Sequence, residues 1–397
     1  MNPLSVQSKS ITIDVDEAIK NQNDLALIVS KDLFSTKAKH SNSVFSPASI
    51  NTALTLAASG PDAIIIDDSS VSSEILSVTK EILSFLRASS TDELNAVFSK
   101  IVPIVFADRS ANGGPKISSI NGVWVEKTLP FDPSLKDLFE NFFKAVYVRV
   151  DFRSKAEQVR RELNEWAEGH TNGLIKDLLP EGSITEATDY VYGNALYFKG
   201  QWEVPFDKCY TKDKEFHLLS GTSVAVPFMN SYKTQYIKAY DGFKVLRIPY
   251  REGCDGDGND GSFSMYFYLP DKNDGLDDLV KAMASNSGFL DCHVPSRKVA
   301  VDEFRIPKFK IVYGLDGQDL GLSSVELFHK ACVEIDEEGA EAAAATFVVG
   351  LGCARYIEPP EMIDFVADHP FLFVIREDKT GTVLFVGQIF DPSDKSS

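Results

Sequence analysis

The 397-residue chain is poor in cysteine, histidine and tryptophan, with five, six and three residues of each. The cysteines are Cys209, Cys254, Cys292, Cys332 and Cys353, odd in number and nowhere spaced C-x-x-C. That excludes a disulfide scaffold and the common zinc and redox motifs, and free thiols in a reducing compartment are expected. The scattered histidines offer no metal cluster, and neither a metal nor a cofactor is expected. No apolar run approaches the ~18 residues of a membrane span. Basic residues are outnumbered, 40 against 58 acidic, for a net charge of −18. Such a charge repels nucleic acid and anionic membranes, so neither is an expected partner. The first residues, Met1 to Ser8, form neither a basic nor an apolar region, so a secretory signal is not expected, and no Asn-x-Ser/Thr sequon occurs. Cytosol or nucleus is the expected location. G-x-S-x-G, H-E-x-x-H, Walker A and G-x-G-x-x-G are all missing, which leaves an enzyme without a motif. Residues 255–261 imitate the start of a calcium loop, but its sixth position is Asp260 and its twelfth Tyr266, so a solvated turn is expected there.

What is present reads as helices early and strands late, the pattern of an α+β fold. Residues 1–16 are a polar lead-in. Leu25, Ile28, Val29 and Leu33 share one face of a helix over 19–34. Ser46 and Pro47 are suited to the cap and first turn of a second helix reaching about Ala58, nearly all apolar or small and hence buried. Residues 60–79 show no clear period and are expected to be a loop. Helical spacing resumes over 82–105, at Leu135, Leu138, Phe139 and Phe142, and at Val159, Leu163 and Trp166, the last helix ending near Gly173. Strands are expected at 121–125, 189–202, 244–250, 263–269, 306–312, 327–335, 371–375 and 383–389, with a hairpin turn at 378–381. No repeat or linker divides the chain.

The stretch from Glu337 to Pro360 fits neither pattern. It lies between two strand-like runs and is long for a connection inside a compact fold. Four consecutive alanines, 342–345, favour helix, but Thr346, Phe347, Val348 and Val349 followed by Gly350 and Gly352 do not. With period two, Ala340, Ala342, Ala344, Thr346, Val348 and Gly350 share a small, uncharged face. An apolar strand of this kind, left exposed, needs a destination.

The run Glu337, Glu338, Gly339, Ala340, Glu341, Ala342, Ala343, Ala344, Ala345 resembles the hinge of a serpin reactive-centre loop. Residues 364–373 (DFVADHPFLF) are similar to the segment that follows it in plant serpins. The run from Asn194 to Trp202 (NALYFKGQW) is similar to a signature of that family, and the resemblance spans nearly the whole chain. It implies one serpin domain over 1–397, α+β, with three β-sheets, eight to nine helices and an exposed loop over 339–364. It also implies a monomer whose partner is a target protease of the serine or cysteine class; an extracellular location is the family-level alternative.

Further implications concern single residues. His329 shares strand parity with Leu327, Ala331, Val333 and Ile335, so burial with a hydrogen-bond partner is expected before catalysis. The resemblance gives it Asn194 as partner, with Ser46 and Ser49 beneath the main sheet and Trp202 at the top of the sheet opening. It pairs Glu337 with Lys308. Counting from Gly339 puts the cleaved bond at Cys353–Ala354, with Arg355–Tyr356 the alternative. The family's usual chain is longer between Lys310 and His329; its loss here is expected to shorten a strand beside the opening, which opens the alternative of a non-inhibitory binding or storage protein or a decayed copy.

Overall fold

The computed structural model describes residues 13–62, 69–130, 133–171, 173, 175–253, 261–339 and 362–394. The elements in chain order are α1 (Val15–Ser35), β1 (Ser43–Phe45), α2 (Pro47–Asp62), α3 (Ser69–Leu86), α4 (Thr91–Val105), β2 (Lys116–Glu126), α5 (Pro133–Asp137), β3 (Val146–Val150) and α6 (Phe152–His170). Then follow β4 (Tyr190–Lys199), β5 (Lys212–His217), β6 (Ser223–Asn230), β7 (Gln235–Tyr240), β8 (Phe243–Pro249), β9 (Phe263–Pro270), α7 (Leu276–Ser285) and α8 (Phe289–Cys292). The chain closes with β10 (Lys298–Val299), β11 (Phe304–Pro307), β12 (Phe309–Asp316), β13 (Leu327–Ile335), β14 (Phe365–Val366), β15 (Phe371–Glu377) and β16 (Val383–Ile389). Three sheets result: seven strands in the order β1-β16-β15-β9-β8-β7-β10, four as β14-β11-β6-β5, and five as β12-β13-β4-β2-β3. Early helices and late strands thus give the expected α+β class.

The five-stranded sheet carries the site. Its β4 and β13 run parallel, Leu327 to Cys332 facing Tyr192 to Tyr197, while β2 and β12 flank them antiparallel. One face meets α2 and the seven-stranded sheet through Ala331, Val333 and Ile335. The other is covered by α6 and the segment after it, where Phe152, Val159, Leu163, Leu178 and Leu179 pack on Trp124, Val191 and Phe328. With both faces covered, β13 reads as nearly continuous burial rather than strict alternation. α2 lies inside as its composition demands. Ser46 Oγ accepts the Ser49 N–H at 3.2 Å, and Pro47 occupies the first turn, where no N–H is needed.

Several expectations are corrected. The loop expected over 60–79 is helical where it is described: α2 runs on to Asp62 and α3 starts at Ser69, while 63–68 lie outside the described residues. The helical run over 82–105 is two helices, because Arg87 takes a left-handed φ of 53° and Ser90 caps α4 by accepting the Glu93 N–H. The single strand expected over 306–312 is two strands in different sheets. The break falls at Lys308, whose N–H still bonds Pro227 O of β6, and the chain then enters β12 of the other sheet. The run around Leu138 to Phe142 closes with wider, five-residue turns. Strands β5, β6 and β7 and helices α7 and α8 had no counterpart in the pattern analysis. The turn over 255–261 lies largely outside the described residues. No helix is long and apolar enough to cross a membrane, and no side-chain cluster able to hold a metal occurs, among the described residues.

Leu54 of α2 is fully buried against the core. Leu54→Ala is expected to cost about 3 kcal/mol, a transfer loss plus a cavity, read as a lower urea midpoint with an unchanged slope.

Candidate functional site

The site has two parts, a polar row across the five-stranded sheet and a clamp on the chain just beyond β13. In the row, His329, Asn194 and Asn121 stand at the same level on β13, β4 and β2. His329 and Asn194 are almost completely buried. The Ser46 N–H donates to His329 Nε2 at 3.1 Å, so that nitrogen carries a lone pair and the proton sits on Nδ1. Nδ1 then donates to Asn194 Oδ1 at 2.9 Å, which also accepts Ser49 Oγ–H at 2.6 Å. Asn194 Nδ2 donates in turn to Asn121 Oδ1 at 2.7 Å. The bond from Ser46 needs a neutral imidazole, because Nε2 must accept. Burial reinforces this, lowering the His329 pKa from 6.5 to about 3. The arrangement supplies no nucleophile or general base; it ties two parallel strands to each other and to α2 beneath them.

The clamp lies at the other end of β13. Glu337 is buried, with Oε2 2.8 Å from Lys308 Nζ and Oε1 accepting from Thr211 Oγ1 at 2.7 Å. Burial alone would raise its pKa, but the bonds from Lys308 and Thr211 outweigh that and hold the carboxyl below its usual range. Its carbonyl accepts the Phe206 N–H at 2.8 Å, and the Glu338 carbonyl accepts the Trp202 N–H at 3.0 Å. Glu338 also pairs with Lys208 at 2.6 Å. Trp202 is buried, stacks on Tyr250 at 4.5 Å, and donates Nε1–H to Asp336 O at 2.8 Å. Gly339 follows with φ of 90°, and a Cβ there would meet Gly200 O and Trp202 N at 2.5 Å. Only glycine fits this point. The described chain resumes at Met362, bridged to Ala300, and β14 then pairs in parallel with β11.

The structure therefore brings Ser46, Ser49, Asn194 and His329 together, and separately Lys308, Glu337, Glu338, Gly339 and Trp202. Ala340, Glu341, Ala342, Ala343, Ala344, Ala345, Cys353, Ala354, Arg355 and Tyr356 lie outside the described residues. Sequence reasoning missed Asn121, whose only signal was an amide inside an apolar strand. It also missed Phe206, Lys208 and Thr211, which meet Glu337 and Glu338 from far along the chain, 126 residues away in the case of Thr211. Of the cysteines, Cys209 and Cys292 are exposed and free; Cys332 is buried and free, its thiol pushed up to about 11 by burial.

The histidine gives a pH prediction. Below its ordinary value of 6.5 the unfolded chain binds a proton that folded His329 refuses until about 3. Stability is thus lost as pH falls through that window. His329→Gln is expected to lower stability at pH 8 and to flatten its decline between pH 6.5 and 3, measured by urea unfolding across pH. An unchanged decline counts against a neutral buried imidazole.

Comparisons with known proteins agree with this geometry. The family model described as "Serpin (serine protease inhibitor)" matches residues 20–321 and 317–392, its two segments meeting in the β12–β13 connection. Serpin-Z1 of Arabidopsis thaliana is 59% identical over 97% of this chain and 98% of its own. A protein of the same plant named "Probable non-inhibitory serpin-Z5" is 55% identical over 98% of this chain and 88% of its own. The structure titled "Arabidopsis AtSerpin1. Native Stressed Conformation" superposes with a TM-score of 0.83 at 46% identity, covering 96% of this chain and all of that one. The chain belongs to the serpin family and has the serpin fold.

Proposed function

We propose that this chain is a protease inhibitor that acts as a suicide substrate, and is not itself an enzyme. The observation that carries this is the pairing of the Gly339 turn, beyond the end of β13, with the small uncharged face of the sequence that follows it. A strand starting at Gly339 and folding back along β13 would enter between β4 and β13. There Ala340, Ala342, Ala344 and Thr346 would pack without burying a charge. The target protease, of the serine or papain-like cysteine class, would attack the carbonyl carbon of Cys353. The Cys353–Ala354 amide breaks, Ala354 leaves as the amine, and Cys353 stays esterified or thioesterified to the protease. Arg355–Tyr356 is the alternative bond, suited to enzymes that prefer arginine. From Ala340 to Cys353 an extended strand spans ~46 Å at ~3.3 Å per residue, so insertion carries the acylated protease far from the site of attack. A displacement of ~1 Å within its catalytic groups costs ~100-fold in deacylation rate. Cytosol or nucleus is the proposed location, and the monomer the proposed form.

A second reading, a non-inhibitory serpin, is favoured by one observation. The β12–β13 connection is only residues 317–326, short for the family, although β13 keeps nine residues, Phe328–Ile335 paired with β12 and Leu327–Cys332 with β4.

Incubation with a panel of serine and cysteine proteases is expected to give a covalent complex that survives boiling in detergent. Mass spectrometry of its products is expected to place the cut after Cys353. Ala342→Arg, which puts a charge on the inserting face, is expected to turn most of the complex into cleaved chain and free protease. Clean cleavage of the unmodified chain by every protease would favour the second reading.

A further inference from the structure

The short β12–β13 connection is held in a way that bears on the opening of the sheet. It starts in one turn at Gln318–Leu320, fixed by reciprocal bonds: Asp316 N–H donates to Asp319 Oδ2 at 2.9 Å and Asp319 N–H to Asp316 Oδ1 at 3.0 Å. Gly317 is required, because a Cβ there would meet Val325 O at 2.5 Å. Leu322 and Val325 point into the core, while Ser323 and Ser324 between them are exposed. Both serines turn to Glu81 of α3. Its carboxylate accepts the N–H groups of Ser323 at 2.8 Å and Ser324 at 3.1 Å, and the Ser323 hydroxyl at 3.0 Å. Partial burial would raise the Glu81 pKa, but these bonds prevail and lower it. Neighbouring Ile82 and Leu86 of α3 are buried in the same core as α2, so the carboxylate is fixed to a rigid element.

The next residue, Glu326, supplies the last rung between the parallel strands: its carbonyl accepts the Tyr192 N–H at 3.0 Å. Leu327 then begins the β13 ladder with β4. A strand entering from Gly339 runs antiparallel to β13, from Ile335 towards Leu327, and reaches this rung last. To pass it, β13 and the connection must move off β4 together, and the three bonds to Glu81 oppose that.

We propose that Glu81, with Ser323 and Ser324, forms a clasp that sets how readily the β4–β13 seam opens at its far end, and so how completely a strand is taken up. Glu81 is a positioning residue that acts through the connection. The clasp rests on the strand-uptake reading of the function but concerns residues the loop does not touch. A carboxylate gripping two successive backbone N–H groups and a hydroxyl has no apolar substitute, so charge should govern it.

The test uses the full-length chain and a synthetic peptide with the sequence of residues 340–350, offered as the missing strand. Uptake is followed by native electrophoresis and by the rise in melting temperature. Glu81→Ala and Ser323→Glu, the second of which sets a carboxylate against Glu81, are each expected to take up peptide about tenfold faster than the unmodified chain, the effect of ~1.4 kcal/mol in an activation barrier. The charge-reversed pair Glu81→Lys with Ser323→Glu is expected to return towards the original rate. Ser90→Ala, which removes the side-chain cap of α4, destabilises without touching the connection and is expected to leave uptake unchanged. Uptake at one common rate in all chains overturns the clasp while leaving strand uptake intact. Acceleration by Ser90→Ala equal to that by Glu81→Ala also overturns it, since general loosening would then suffice. No uptake by any chain overturns the strand-uptake reading, and the clasp with it.

Discussion

The hydrogen-bond row from Ser46 through His329 and Asn194 to Asn121 is the constraint on which the rest depends. Parallel strands in the middle of a sheet are normally held by backbone ladders and by packing on both faces. Here the level of His329 adds a fully satisfied polar chain that crosses three strands and reaches the helix below. Such a chain is sensitive to its own completeness. Each member satisfies the next, and the loss of one leaves a buried donor or acceptor without a partner, which costs about 1–3 kcal/mol. The seam is therefore closed by interactions that fail together, as befits a joint that opens as a unit rather than fraying.

The clamp around Glu337 and Gly339 performs the complementary task at the end of β13. Lys308, Thr211, Phe206 and Lys208 fix the last described residues before the loop. The glycine makes the turn that no other residue fits. Under the proposed function, a strand that starts from so fixed a root would enter in one register, since a one-residue slip would place Glu341 on the buried face. The small side chains from Ala340 onward and the rigid root are thus two halves of one specification. At the far end, Glu81 holds the short connection through Ser323 and Ser324, the clasp proposed to govern how far the seam parts.

Much of this was legible from local signals. Ser46 and Pro47 announced the start of α2, and the parity of Leu327, Ala331, Val333 and Ile335 announced that His329 would be buried. What was hidden depends on contacts between distant parts of the chain. Nothing near Asn121 says that β2 pairs with β4 in the register that sets it against Asn194. Nothing near Thr211 and Phe206 says that both will bond to Glu337. The charged residues Asp62, Asp67 and Asp68 masked the onset of α3, and with it Glu81. The hand-over from β11 to β12 was invisible for a different reason: both halves are β-prone, and they differ only in the sheet each one joins.

The central claim is that the folded chain holds a place for one more strand and gains stability when that place is filled. The most direct measurement is the melting temperature of the intact chain against the same chain nicked once in the loop by a protease that does not stay bound. The account predicts that the nicked chain melts far higher, by tens of degrees, because a whole strand is newly paired and buried. Equal melting temperatures for the two would contradict it.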